Sequence, residues 1–180
     1  QLEGGLFGSK DVKQQDAAKK ADGNPVYIEI SSMETPADMS FEEALDYGVI
    51  NEINSYTTNF STGSGTEERN HNIRLAMDLL NNHVVAANGG SWSFNTIMGD
   101  TDAAKGFQSA GSILDGELVD SLGGGICQVA TTIFNAVYEA GLPVPVRHNH
   151  TMYIASYPLG RDAAINYPDM DLEWVNDTST

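Results

Sequence analysis

Apolar positions recur with helical spacing in two long stretches, and these set the skeleton of the chain. Over Glu67–His83, Ile73, Met77 and Leu80, with Ala76 beside them, form one stripe at i, i+4, i+7, which predicts an amphipathic helix. Over Gln128–Ala140, Val129, Thr132, Ile133, Ala136, Val137 and Ala140 give a broader apolar face, closed by Gly141 with Pro143 just beyond. A face that wide predicts a helix packed into the core. Elsewhere the pattern shortens or alternates. Strands are predicted at 26–30, 53–60, 91–95, 144–155, 162–167 and 170–176, with turns at Pro158-Leu159-Gly160 and Pro168-Asp169. Residues 84–86 read as a strand or turn ended by Gly89-Gly90, and 99–121 as loops and short strands around Gly106, Gly111 and Gly116. Towards the N-terminus, 9–22 predicts a helix between Ser9 and Gly23, and Ser40-Phe41-Glu42-Glu43 a capping box opening a short helix. A polar connector, Ser61–Thr66, precedes the helix expected at Glu67–His83. Helices followed by an antiparallel run predict an α+β fold, with helices packed on a mostly antiparallel sheet. Residues 1–56 read as a separate module or linker and 57–180 as the main domain.

Composition narrows the partners. The 180 residues carry 25 acidic and 9 basic side chains, a net charge of −16. That balance argues against nucleic acid and against docking on anionic headgroups, both of which need basic clusters. No stretch approaches the ~20 apolar residues of a membrane span. Because the sequence opens on Gln1 rather than Met, a leader or anchor is expected upstream, and membrane contact is expected only through such an anchor. The single cysteine excludes an internal disulfide framework and leaves open a reactive thiol.

That cysteine lies in Gly123-Gly124-Gly125-Ile126-Cys127-Gln128. A glycine run needs a reason such as a sharp bend or a close approach, and a helix follows it. Cys127 is therefore placed at a helix N-terminus, where exposed N–H groups favour a thiolate. A buried Cys acting as a small hydrophobe is the plain alternative. His148 and His150 stand two apart on a predicted strand, so both face one way and either can serve as base. Asp162 is the candidate third group that orients the imidazole, Asp171 the runner-up, and Asp169 a turn residue. With Gly125 at the bend, the N–H of Cys127 or Gln128 can hold an oxyanion. Arg147 can neutralise a substrate carboxylate or form a solvated ion pair. Ser93 and Asn95 are candidate wall residues or ordinary strand decoration. A mixed zinc site from His148, His150, Cys127 and an aspartate competes, but the chain has no CxxC or HExxH, and His71 and His83 have no partner at ligand spacing. No metal or other cofactor is expected.

Several motifs occur in a fixed order. They are Arg69 with Asn72-Ile73, Ser93-Phe94-Asn95 with Gly99, Asp115-Gly116, Gly123–Gln128 with Thr131-Thr132 and Asn135-Ala136, Arg147–His150, and Gly160–Ala163. Together they resemble the VanW domain family, from about Thr57 to Asn176. The preceding segment resembles the end of a peptidoglycan-binding module. Departures are Asn88–Trp92 in place of a Pro-Gly-Glu-like turn, Ala130 in place of Ser, and Thr151 in place of Ser. The resemblance implies a bacterial, extracellular, wall-facing protein of the kind found in glycopeptide-resistance clusters, often membrane-anchored. It further implies L,D-transpeptidase chemistry on peptidoglycan stem peptides, joining their third residues through a thioester on Cys127. It favours His150 over His148 as base and does not itself assign Asp162. A cysteine peptidase or amidase on the same polymer, and a non-catalytic wall-binding module, are the alternatives. The oligomeric state is not indicated.

Overall fold

The computed structural model describes residues 2–5, 29–31, 52–114 and 117–179. The helices expected at 9–22 and 40–43 lie outside the described residues. Among the described residues three α-helices, α1 (Glu67–Leu80), α2 (Phe94–Met98) and α3 (Ile126–Glu139), accompany seven strands. The strands are β1 (Leu2–Gly5), β2 (Glu29–Ser31), β3 (Tyr56–Thr58), β4 (Gly90–Ser93), β5 (Ser109–Leu114), β6 (Glu117–Leu122) and β7 (Glu173–Asn176). The α+β expectation holds, with the antiparallel pairing divided among three small sheets: β2-β1-β3, β4-β7 and the β5-β6 hairpin.

α3 is the axis of the core, buried along nearly its whole length. Ile73, Ala76, Met77 and Leu80 of α1 join the same core as Val129, Ile133 and Val137 of α3. On the β4-β7 side, Trp92 and Trp174 sit directly opposite in register and stack at 6.1 Å. Phe94 meets Trp92 edge-on, and both Phe94 and Leu172 are fully buried. Each such side chain contributes about 1.5–3 kcal/mol by leaving water.

Three expectations are corrected. The 67–83 helix stops at Leu80, because Asn82 turns into the left-handed region at φ 59°. The strand at 91–95 ends at Ser93, whose hydroxyl accepts from the Thr96 N–H and opens α2 instead. The strands expected at 144–155 and 162–167 are absent among the described residues. Only isolated bridges mark them, Val146 to Glu173, His148 to Ala164 and Asn166 to Met170.

The reason for that last difference is a side-chain clasp. Extended residues 161–165 lie along α3 and bond to its side chains. Asn135 Nδ2 donates to the Arg161 carbonyl at 2.8 Å, and Arg161 Nε donates to Asn135 Oδ1 at 2.6 Å. The Ala163 N–H donates to Thr131 Oγ1 at 2.9 Å, and that hydroxyl donates to the Ala163 carbonyl at 3.2 Å. The Ile165 N–H reaches Cys127 Sγ at 3.4 Å, and the thiol returns to the Ile165 carbonyl at 3.7 Å. Four helical residues rise about 6 Å and two extended residues about 6.5 Å. Positions 127, 131 and 135 therefore match 165, 163 and 161 rung for rung. Asp162 sits inside this clasp and is fixed relative to Cys127 by it.

Candidate functional site

The glycine run is explained by close approach. A Cβ on Gly124 would lie 2.2 Å from the Ala110 carbonyl oxygen of β5. Gly125 has φ 112°, and a Cβ there would meet Arg69 Cγ at 3.0 Å. The bend thus presses the start of α3 onto β5 and α1. α3 begins two residues earlier than its apolar pattern implies, with Gly125 as N-cap, so Cys127 lies inside the first turn.

Cys127 is half-buried. Burial pushes its thiol above the ordinary range, against the opposing pull of the Ile165 N–H, its own N–H and the Arg69 guanidinium, while Asp162 adds to the rise. Desolvation thus works against the thiolate that the helix start favours. The Gln128 N–H donates to the Gly125 carbonyl at 3.0 Å, so it is not available to an oxyanion. The Gln128 side chain is instead an anchor. Its Nε2 donates to Thr58 Oγ1 and the Asn59 carbonyl, both at 3.0 Å, and its Oε1 accepts from Arg69 Nη2 at 2.8 Å.

A second group gathers on Asp162. One carboxylate oxygen accepts from the His150 backbone N–H at 2.7 Å and lies 2.8 Å from His150 Nδ1. The other accepts from Arg147 Nη2 at 3.1 Å. Burial drives the Asp162 carboxyl upward, but the His150 N–H and ring together hold it below the usual carboxylate range. A carboxylate at Nδ1 selects the Nδ1–H tautomer and leaves the Nε2 lone pair free. Among the described residues Nε2 has no hydrogen-bond partner. His150 is not on a strand: the Asp162 carboxylate takes the N–H that a ladder carbonyl would have taken.

Other candidates fall elsewhere. His148 is half-buried off the cavity wall, and its carbonyl accepts from the Ala164 N–H at 2.8 Å. Without a continuous strand the two histidines do not share a face. Arg147 is committed to Asp162, to the Asp162 and Gly160 carbonyls, and to the Phe134 ring at 5.0 Å. Ser93 and Asn95 cap α2, bonded to Asp171 at 2.6 and 2.9 Å, so Asp171 serves that turn and not the imidazole. Asp169 lies in a turn.

Cys127, His150, Gly125 and Gln128 line one cavity of about 490 Å³, within the size range of small-ligand sites. Arg69, Asn70 and Tyr157 also line it, and the sequence reading gave none of them a role. Burial pushes the Tyr157 hydroxyl up to about 12. Arg69 was findable, because it stands one turn before Ile73 on the apolar stripe of α1, where a charge is out of place. Tyr157 lies in a loop without periodic pattern. Among the described residues no group of three or more His, Cys, Asp or Glu side chains is placed to hold a metal ion. No helix among them is long and apolar enough to cross a membrane.

Small antiparallel sheets around a buried helix, with thiol, imidazole and carboxylate gathered near its first turn, define a mixed α/β protein built around one polar cleft. The chain belongs to the VanW like protein family, whose model matches residues 68–180. A curated relative, the uncharacterized protein YoaR of Bacillus subtilis (strain 168), is 38% identical over 152 residues, or 84% of this chain and 49% of the relative. The chain thus spans about half the length of the curated relative it matches. No solved structure matches it.

Proposed function

We propose that this protein is a cysteine acyltransferase of the bacterial cell wall, an L,D-transpeptidase acting on peptidoglycan stem peptides outside the membrane. The observation that carries this reading is the His150–Asp162 pair set beside Cys127 on one cavity, which both His150 and Cys127 line. Burial favours the protonated thiol, so a base is assigned to the moment of attack. His150 Nε2 takes the S–H proton as sulfur adds to the carbonyl of the third stem residue. The C–N bond then breaks, His150 returns the proton to the departing D-alanine amine, and a thioester remains. The side-chain amine of a neighbouring stem attacks the thioester, loses its proton to His150 and leaves as the amide, regenerating the thiol. Among the described residues Sγ and Nε2 share no hydrogen bond, as is common before substrate tightens such contacts.

The test is purified protein with disaccharide-tetrapeptide. Free D-alanine and crosslinked dimer should appear and should vanish in Cys127→Ala. D-alanine without dimer would identify a hydrolase on the same polymer. Activity surviving the substitution would overturn the reading. One observation favours a structural thiol: Sγ forms the third rung of the clasp, bonded both ways to Ile165. Cys127→Ser separates the two, since a hydroxyl keeps the rung while changing the nucleophile.

A further inference from the structure

Resting on that reading, we infer that Arg69 is the carboxylate-binding residue of the Cys127 cavity, and that the bond attacked is the last peptide bond of a chain with a free C-terminus. Arg147 and Arg161 are each neutralised, by Asp162 and Glu139. Arg69 has no carboxylate partner among the described residues, although the chain carries 25 acidic side chains. Among the described residues its one side-chain hydrogen bond is from Nη2 to Gln128 Oε1 at 2.8 Å. A guanidinium has five N–H donors in a fork matched to a carboxylate, so most of them remain for a ligand.

The fork is also held still. Thr132 bonds Thr58 at 2.8 Å, Thr58 accepts from Gln128, and Gln128 accepts from Arg69. Arg69 lines the cavity with Cys127, and its side chain packs on Gly125, two residues before the sulfur-bearing residue. An anion bound there sits beside the sulfur, so the scissile carbonyl and the carboxylate must be near neighbours in the substrate. A terminal amino-acid residue as leaving group meets that condition.

A second observation points to a ligand. Asn70, 5% exposed, lines the same cavity, and its buried Oδ1 has no hydrogen-bond partner among the described residues. Its Nδ2 donates to the Ser61 carbonyl and Thr66 Oγ1 at 2.9 and 3.0 Å, which fixes the amide orientation. A buried acceptor of this kind calls for a donor, and a peptide N–H supplies one.

The experiment measures binding of a stem tetrapeptide ending in D-alanine, and of its C-terminal carboxamide, to the Cys127→Ala protein by calorimetry. The acid should bind about tenfold or more tighter, the range of a charge-assisted hydrogen bond. Adding Arg69→Gln should bring the two to within about twofold. Arg69→Lys should keep part of the preference, and salt should shrink it. Equal binding of acid and amide to the Cys127→Ala protein overturns the inference, as does a preference undiminished in a folded Arg69→Gln protein. Should Arg69→Gln fail to fold, the Arg69→Lys ratio and the salt dependence decide. D-alanine release by the unsubstituted protein is followed alongside. An intact acid preference without turnover would sink the acyl-transfer reading and leave the Arg69 assignment standing.

Discussion

The two halves of the α3 surface that face residues 150–165 are built on opposite terms. Along Thr131 and Asn135, both fully buried, every rung of the clasp is paired in both directions. At the first turn, around the cavity, polar atoms have no partner among the described residues: His150 Nε2, most of the Arg69 fork and Asn70 Oδ1. Leaving a buried polar group unpaired costs about 1–3 kcal/mol, so the incomplete end is where a ligand has most to supply. The complete end holds Asp162 in place. Scaffold and candidate site are one continuous stripe of side chains, and they differ only in satisfaction.

The largest effects should come from breaking the incomplete end. Asp162→Asn is expected to lower D-alanine release by about 10²–10⁴-fold, because a neutral amide does not stabilise the imidazolium that forms when His150 takes the thiol proton. The melting temperature should move less, since an amide still accepts from the His150 N–H. An Asp162→Asn protein with unaltered turnover would remove His150 from the proposed chemistry. Next in size is Gly124→Ala. Its Cβ would stand 2.2 Å from a backbone oxygen of β5, and neither backbone can yield cheaply. A loss of about 3 kcal/mol or more is expected in denaturant unfolding. A loss below about 1 kcal/mol would mean that the bend is looser than the packing shows.

What the sequence revealed divides along the same line. Apolar periodicity located α1 and α3 because hydrophobic burial leaves a pattern of fixed period. The thiol, the histidine pair and Asp162 could be nominated because thiol–imidazole–carboxylate sets are short motifs, whereas the preference for His150 within the pair came only from the family resemblance. The clasp was invisible. Cys127, Thr131 and Asn135 recur at i, i+4, i+8, but side-chain-to-backbone pairing leaves no strand alternation, and residues 162–167 were read as a ladder. The ranking of desolvation above the helix start was equally hidden, since it depends on what Ile165 covers. Arg147 and Ser93 misled for a common reason: a polar residue that completes a turn looks, in sequence, like one that waits for a substrate.

Breaking the complete end should cost less. Thr131→Val removes the hydroxyl that both accepts from and donates to Ala163, and it strands a buried N–H. The expected loss is about 1–3 kcal/mol, with turnover falling further than stability alone explains, because Asp162 is the next residue along. Equal losses of stability and turnover would deny the clasp any positioning role.

The smallest effect is electrostatic, and the single thiol makes it clean to read. Burial raises the Cys127 pKa in the folded state, whereas the unfolded chain ionises near about 8.5. Above that pH the unfolded state releases a proton that the folded state keeps. Its contribution to stability is therefore whole below about pH 8.5 and is lost as pH climbs towards the folded value. Relative to Cys127→Ala, the unsubstituted protein should lose up to about 1.4 kcal/mol per pH unit across that window. The Asp162 carboxyl, held low, contributes with the opposite sign: its share is present above about pH 4 and lost as pH falls further. Urea unfolding of the two proteins between about pH 7.5 and 10 isolates the thiol. A flat difference, or one that grows with pH, would mean that the helix start, the Ile165 N–H and Arg69 together match desolvation. A difference that grows with pH would further mean that the folded thiol ionises below its unfolded range, so that Cys127 rests as a thiolate and His150 has no proton to take from it in the first step.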